Sequence, residues 1–464
     1  MTLRTAVCAL SLALVSISGC AQVERQAGMK DVRGLVTDRI GQDVQWHQEA
    51  AEDAAAAEAV HSLLERDLTA DAAVQIALLN NRSLQGVYEE LGIAQAELVQ
   101  AGLLRNPVFE GEIHFGSAGA SVELSLVQNF LRIFQIPLRK RLASAAFEAA
   151  KLRVAGSVID LAGQTRRDFY AVLAANQRLE LHRTVAAATA ASYEYARRLH
   201  AAGNITDLDL AQERALHEEG KLDLAAGELE ASAARERLNT VMGVWGPDTA
   251  WHTVPRLDGL EKVEEVESMA ILEQRAIERS LDLGALRQDI LVNAQRVGAA
   301  RPLWLWDAEV GVAADRDTDG SWGIGPAIST PLPIFDQGGP ARAIASGRWK
   351  QAHDRYIFLA VAVRAGVREM RTRVLATHDR AVYYQAIVLP LRRTITDETQ
   401  KQFNAMQISA FQLLTAKRQE IEAGERYIDA LEEYWTARTQ LDLILEGSLT
   451  NLETESPQSK AGQR

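Results

Sequence analysis

The chain is poor in cysteine and lacks long apolar segments in its interior. Its 464 residues include two cysteines, which excludes a framework of several disulfides. No interior run of about 18 apolar residues occurs, which excludes a transmembrane helix. Acidic residues outnumber basic ones, giving a net charge of -12, and this balance argues against nucleic-acid binding.

The N-terminus has the features of an export signal. Arg4 supplies a positive charge, and residues 6–15 form an apolar segment too short to span a bilayer. The I-S-G-C stretch that ends at Cys20 resembles the lipobox of bacterial lipoproteins, in which the cysteine is lipidated and becomes the first mature residue. Ala21 follows instead of an aspartate, so the resemblance points to the outer membrane, facing the periplasm. We expect a signal peptide over 1–19, a lipid on Cys20, and an N-terminal anchor and extended segment over 20–66.

The mature sequence shows neither a catalytic constellation nor the spacing of a metal site. The nine histidines are scattered, without a pair such as H-x-x-x-H on one helix face. No second cysteine and no methionine cluster remain to bind soft metals. We therefore expect no resident metal, no cofactor and no enzymatic activity.

The chain contains an internal repeat. Residues 203–210 and 406–413 share an isoleucine, a hydroxyl residue and a leucine at matching positions, with an offset of about 203 residues. The same offset separates the prolines at 137 and 340. We predict two homologous halves, over 67–247 and 267–447, joined by a linker over 248–266 and followed by a disordered tail over 448–464.

Each half is predicted to contain one very long helix. From each proline to each tip-like segment the sequence is rich in Ala, Leu, Arg and Glu over about 65 residues, or about 100 Å of helix. Helices of this length need coiled-coil-like partners. Gly203 suits the end of the first helix, and Thr206 and Ser409 suit the starts of the returning helices, which end near positions 243 and 447. Pro390 is expected to kink or break the second long helix.

Strand-like segments precede each long helix. Apolar and polar residues alternate over 109–115, 121–126, 307–312 and 322–329, which indicates strands with one apolar and one polar face. Such strands suit a barrel with lipid outside and water inside. The D-R-D-T-D-G stretch at 315–320 begins like a calcium loop, but its flanks are strands and Pro326 occupies the position of the required glutamate. We therefore interpret it as a hairpin turn.

Together these features resemble the TolC (outer membrane factor) family of efflux channels. The resemblance rests on the lipobox, the duplicated strand-pair and long-helix halves, Asn106-Pro107, and T-P-L-P-I-F-D-Q-G at 330–338, which is similar to the heavy-metal cation efflux branch. It implies a mainly α fold with a small membrane β-barrel part. It also implies a homotrimer that shares a twelve-stranded barrel in the outer membrane, with a helical tube in the periplasm. The implied partners are a periplasmic adaptor and an inner-membrane pump of the resistance-nodulation-division type.

Three groups of residues are candidates for function. The residues predicted to dock the adaptor lie at the tips: Gly203, Ile205, Thr206, Leu208, Ile408, Ser409 and Phe411. A periplasmic constriction is assigned to Asp207, Asp209 and Gln412, although the two aspartates are equally explained as acids that stabilise a helix start. The residues predicted to line a cation-favouring barrel lumen are Glu110, Glu112, Glu123, Asp307 and Glu309, with a merely hydrated face as the alternative.

Several functions remain open on this basis. The favoured one is the outer-membrane channel of a heavy-metal cation efflux system, and the next is a channel for organic compounds or drugs. A periplasmic adaptor lipoprotein is a different class, but it has one helical hairpin. A structural coiled-coil lipoprotein would lack two-faced strands.

Overall fold

The computed structural model describes residues 22–116, 119–129, 131–254, 256–257, 260, 268–299, 309–316, 319, 321–330, 332, 334–335, 337–408 and 410–449. The lipidation residue Cys20, the lumen residue Asp307 and the capping residue Ser409 lie outside this part of the chain, as do the signal peptide and most of the tail. Contacts divide the chain into two compact units. The strand unit contains Tyr88–Leu152, Gly284–Ile357 and the segment that ends at Lys30; the helical unit contains Asp31–Val87, Arg153–Leu283 and the chain from Phe358 onward.

The described residues of the first half form six α-helices and two strands. They are α1 (Met29–Ile40), α2 (Ala50–Leu64), α3 (Ala70–Asn80), α4 (Arg82–Ala101), β1 (Val108–Gly116), β2 (Gly119–Gln128), α5 (Ile136–Ala201) and α6 (Asp207–Met242). The predicted long helix is confirmed, because α5 is 66 residues long. The predicted return helix α6 ends at Gly243, which has a left-handed backbone.

The second half repeats this order from α3 onward. It contains α7 (Met269–Arg279), α8 (Leu281–Ala299), β3 (Glu309–Arg316), β4 (Trp322–Ser329), α9 (Gly339–Tyr383), a π-helical turn (Tyr384–Val388), α10 (Leu389–Asn404) and α11 (Ala410–Glu446). The π turn ends at Val388, two residues before Pro390, so the predicted local break in this helix is confirmed. No described helix is long and apolar enough to cross a membrane.

The strand unit contains one antiparallel sheet with the order β1-β2-β3-β4. One face carries apolar side chains that are largely exposed, including Phe109, Ile113, Trp322, Ile324 and Ile328. Neither β1 nor β4 has a further strand partner among the described residues. The predicted two-faced strands are therefore confirmed, with a solvent-exposed apolar face and two open edges.

The helical unit is organised around a large apolar core. Trp251, Leu238, Met242, Phe169 and Ile76 are all buried in it. Trp251 donates a hydrogen bond to Asn239 Oδ1 at 2.8 Å. The first residues of the predicted linker therefore belong to this core, where the isolated bridge between Leu68 and Thr253 also lies.

The N-terminal segment differs from the extended structure predicted for 20–66. It contains the two helices α1 and α2, and Val32, Val36, Val44 and Trp46 are buried. The expectation was wrong because the alanine-rich sequence of α2 gives a weak apolar pattern, while isolated apolar residues fix the segment through tertiary contacts. The predicted tail also begins with two buried residues, Ser448 and Leu449.

Candidate functional sites at the hairpin tips and on the polar face of the sheet

The first hairpin tip joins α5 to α6 through a tight capped turn. Gly203 has φ +74°, and its N–H donates to His200 O at 2.9 Å while Asn204 N–H donates to Leu199 O at 2.9 Å. This pair of bonds is a Schellman motif, which satisfies the last carbonyls of α5. Thr206 then caps α6, because its Oγ1 accepts from Asp209 N–H at 3.2 Å and its N–H donates to the Asp209 carboxylate at 3.1 Å. The predicted capping roles of Gly203 and Thr206 are confirmed.

Both aspartates at this tip are engaged in local contacts. Hydrogen bonds from the backbone and hydroxyl of Thr206 lower the pKa of Asp209. Asp207 lies 2.7 Å from His200 Nε2. These contacts support the alternative role of the acids in stabilising a helix start. Leu208 between them is 65% exposed, whereas Ile205 is half-buried.

The second tip repeats the same backbone geometry without a glycine. Met406 has φ +57°, and its N–H donates to Phe403 O at 2.9 Å while Gln407 N–H donates to Gln402 O at 3.0 Å. The bonding pattern is again that of a Schellman motif. Ile408 is half-buried and Gln412 is exposed, while the side chain of Phe411 lies outside the described residues. Sequence reasoning did not foresee that Met406 adopts the left-handed conformation, since methionine rarely does.

The polar face of the sheet gathers the predicted lumen residues. Glu110 faces Ser125, and Glu112 faces Glu123 directly across β1 and β2. Glu309 lies on the same face of β3, opposite Ser329 of β4. The described members of this predicted set, Glu110, Glu112, Glu123 and Glu309, therefore share one face, as the alternation indicated.

Sequence reasoning missed one acid on this face. Asp315 was assigned to the turn, but it lies in β3 directly opposite Glu123 of β2. Its carboxylate extends toward β4, where a side chain at Gly323 would lie 2.7 Å from Asp315 Oδ1. The signal was available in the sequence, since Asp315 has the same strand parity as Glu309.

A mixed group of ligand-type side chains lies on the same face. Glu112, His114 and Glu123 are exposed, and one ligand atom from each lies within 4.8 Å of the other two. His114 Nε2 is 3.2 Å from Glu112 Oε2. No metal site was expected from the sequence, because the histidines were tested only for the spacing of ligands on a helix. On a strand, positions i and i+2 share a face, so E-x-H together with a cross-strand glutamate brings three donors together.

The helical unit contains a cavity among α5, α6 and α11 whose lining combines apolar and charged side chains. Its volume is about 430 Å³, and its lining includes Arg178, His182, Asp223, Glu425 and Asp429. Burial raises the pKa of Glu425, an effect that nearby carboxylates reinforce and His182 opposes. The Arg178 guanidinium forms ion pairs with Glu230 of α6 and with Asp429 and Glu432 of α11. Charged side chains therefore connect the first hairpin to the last helix.

The duplicated strand pairs, the paired long helices and the capped tips define the fold of a bacterial outer-membrane channel. In solved structures, the chain is similar to the Campylobacter jejuni CmeC outer membrane channel, with a TM-score of 0.69, 14% identity, and coverage of 85% of this chain and 88% of that one. It is also similar to the outer membrane protein VceC from Vibrio cholerae, with a TM-score of 0.66, 15% identity, and coverage of 82% and 96%. The mainly helical fold with a small sheet, predicted from the resemblance to outer membrane factors, is confirmed.

Among curated proteins, the chain is similar to the cobalt-zinc-cadmium resistance protein CzcC of Cupriavidus metallidurans. The two are 26% identical over 389 residues, which cover 82% of this chain and 90% of that protein. No family model matches the chain. The predicted resemblance to an outer membrane factor of heavy-metal efflux is thus confirmed, and the readings as a periplasmic adaptor or a barrel-free coiled-coil lipoprotein are wrong.

Proposed function

We propose that this chain is the outer-membrane channel of a tripartite efflux system for heavy-metal cations. The observation that carries the proposal is the similarity to CzcC over 82% of the chain, in a protein that has the fold of outer-membrane channels. The chain acts as a passive duct and not as an enzyme. An adaptor and an inner-membrane pump supply the substrate and the energy.

The sheet supports an assembly of several copies in the outer membrane. Four strands with open edges cannot face lipid, because unpaired backbone groups are costly there. Known single-chain barrels have at least about eight strands. Three copies side by side give a twelve-stranded barrel, whose outside is formed by the exposed apolar face with Phe109, Ile113 and Ile324. Native mass spectrometry in mild detergent should therefore report a trimer; a stable monomer that forms pores would contradict the shared barrel.

Two finer features belong to the proposal. The lipobox supports lipidation of Cys20, so mass spectrometry of the mature N-terminus should find an acylated cysteine; an unmodified N-terminus elsewhere would remove the anchor. A heavy-metal context supports a pump of the resistance-nodulation-division type. Co-purification of the full chain with its pump after crosslinking tests this, and capture of another pump class would contradict it.

The hairpin tips are the proposed docking end for the adaptor. Leu208 is exposed at a turn, where apolar side chains favour contact with a partner. Replacing Leu208 and Phe411 together with Asp places charges in that contact. The matched control is Leu222→Asp, which alters a similarly exposed leucine about 21 Å further along α6.

Resistance of cells to cobalt, zinc and cadmium salts is the functional readout. Deletion of the chain should sensitise cells to these salts, and the wild-type chain should restore growth. The tip variant should form normal trimers but lose both resistance and adaptor crosslinking, whereas the Leu222 variant should keep both. Restored resistance to organic compounds but not to metal salts would favour the organic-compound channel instead. Resistance that persists in the tip variant at normal protein levels would place docking elsewhere.

A further inference from the structure

The polar face of the sheet carries a row of carboxylates that the described residues do not neutralise. Glu112 lies directly opposite Glu123, and Glu123 lies directly opposite Asp315. Like charges at directly opposed positions destabilise a sheet. In the described part of the chain, neither Glu123 nor Asp315 has an ion-pair partner, and His114 is the group within ion-pair distance of Glu112. A bound cation would remove this repulsion.

The donor set at one end of the row suits a borderline divalent cation. An imidazole nitrogen and two carboxylates are ligands that zinc and cobalt accept, whereas calcium and magnesium prefer oxygen alone. Ligand atoms lie about 2.1 Å from such an ion, so two of them are at most about 4.2 Å apart. The three donors already lie within 4.8 Å of one another. Because all three side chains are exposed, small rotamer changes are enough to close the site.

We propose that Glu112, His114 and Glu123 form a divalent-cation site on the polar face, through which the exported metal passes. The role in transport rests on the proposed function, while the site itself rests on the side-chain geometry. Three protein ligands leave further positions for water, so the ion stays exchangeable. Affinity is low, with Kd on the order of 10⁻⁴ to 10⁻³ M, as for exposed extracellular cation sites. Weak binding is a requirement for conduction, because an ion must leave a site as readily as it enters.

Cobalt absorption spectroscopy on the purified full-length protein in mild detergent tests the site. Titration with Co²⁺ should give a saturable signal, with one ion per chain and absorption bands that indicate a nitrogen ligand. His114→Gln and Glu123→Gln should each weaken binding at least about ten-fold. The matched control is Glu110→Gln, which removes the same charge from the same face of β1, outside the group of three donors. It should bind cobalt like the wild type.

Two outcomes overturn the proposal. One is unchanged binding in His114→Gln. The other is an equal loss in Glu110→Gln and Glu123→Gln, which would indicate diffuse attraction to a negative face. The variants Glu110→Gln and Glu123→Gln should keep the oligomeric state of the wild type, since neither removes an apolar contact. Native mass spectrometry verifies this.

Metal resistance separates this proposal from the proposed function. If cells depend on the chain for resistance while the purified protein binds no cobalt, the site is refuted and the channel function stands. If the purified protein binds cobalt through His114 but deletion of the whole chain sensitises cells to no metal salt, the site stands and the heavy-metal function is refuted.

Discussion

Replacing Arg178 with methionine should loosen the contact between the first hairpin and the last helix. The guanidinium belongs to α5, and its side chain is 14% exposed. It binds Glu230 of α6 at 2.7 Å, and Asp429 and Glu432 of α11 at 3.0 and 2.9 Å. Methionine keeps most of the aliphatic stem, so the substitution removes mainly the charge and its hydrogen bonds.

The expected cost follows from the burial of the partners. Removing one member of a fully buried ion pair costs about 3–5 kcal/mol, because the other charge stays unpaired in a dry site. Glu230 and Asp429 are about half exposed, and pairs of this kind contribute about 0–1 kcal/mol each. Glu432 is more buried, so its carboxylate pays a larger penalty. We expect a destabilisation of about 2–3 kcal/mol in total.

The assay compares thermal unfolding of the full-length assembly at a fixed scan rate, since unfolding of such assemblies is commonly irreversible. Arg418→Met is the matched control. Arg418 is 64% exposed and lies 3.8 Å from Glu219 and 3.4 Å from Glu422, so its loss should cost under about 1 kcal/mol. Hydrogen exchange should increase in α11 around position 430 for the Arg178 variant alone. Equal shifts for the two variants, or no change in exchange, would refute the reasoning.

Three further changes test the packing and the turns. Burial raises the pKa of Glu213 in the folded protein. The wild type therefore loses stability as the pH rises from the pKa of the unfolded chain through that of the folded protein. In thermal unfolding from acid to neutral pH, Glu213→Gln should be as stable as the wild type below this pH range and more stable above it. Parallel curves for the two proteins would contradict this. Gly243→Ala should lower the free energy of unfolding by at least about 2 kcal/mol, because φ is positive and the new Cβ would lie 2.9 Å from Asn80 O. Gly203 also has a positive φ but open space around it, so Gly203→Ala should lower it by about 1 kcal/mol. Denaturant unfolding measures both values. Similar costs would show that the contact with Asn80 is unimportant. Met406→Gly should be neutral or stabilising by up to about 1 kcal/mol, and a clear loss would mean that the exposed side chain makes a contact.

The parts of the fold that follow local periodicity were predictable. Alternation placed Glu110, Glu112 and Glu123 on one face, because the side-chain period of a strand is fixed by its geometry. The 66 residues of α5 follow from an alanine-rich stretch that begins at Pro137, contains no further proline and ends at Gly203. The local interruption of the α-helix near Pro390 follows from the missing N–H of proline, whereas its form as a π turn was not predicted.

Features that depend on distant partners were not predictable from local pattern. α1 and α2 are held by tertiary contacts, such as the hydrogen bond from Arg39 Nε to Glu446 O, more than 400 residues away. The ion pairs of Arg178 join segments that only the fold brings together. The group of Glu112, His114 and Glu123 needed the strand register, since the sequence does not state which residue of β2 faces Glu112.

The comparison of the two halves indicates which property of the repeat is constrained. α9, the π turn and α10 together cover Gly339–Asn404, and both bounds are displaced from those of α5 by the repeat offset of about 203 residues. The sequences differ: inside these bounds the second half has Pro390 and a π turn where the first half has an uninterrupted α-helix, and two residues beyond them Met406 replaces Gly203. The length of the long helix and the Schellman turn at its end are nevertheless the same in both halves. Local strain at Met406 is therefore tolerated while hairpin length is kept, as expected if both tips must reach the same partner in one assembly.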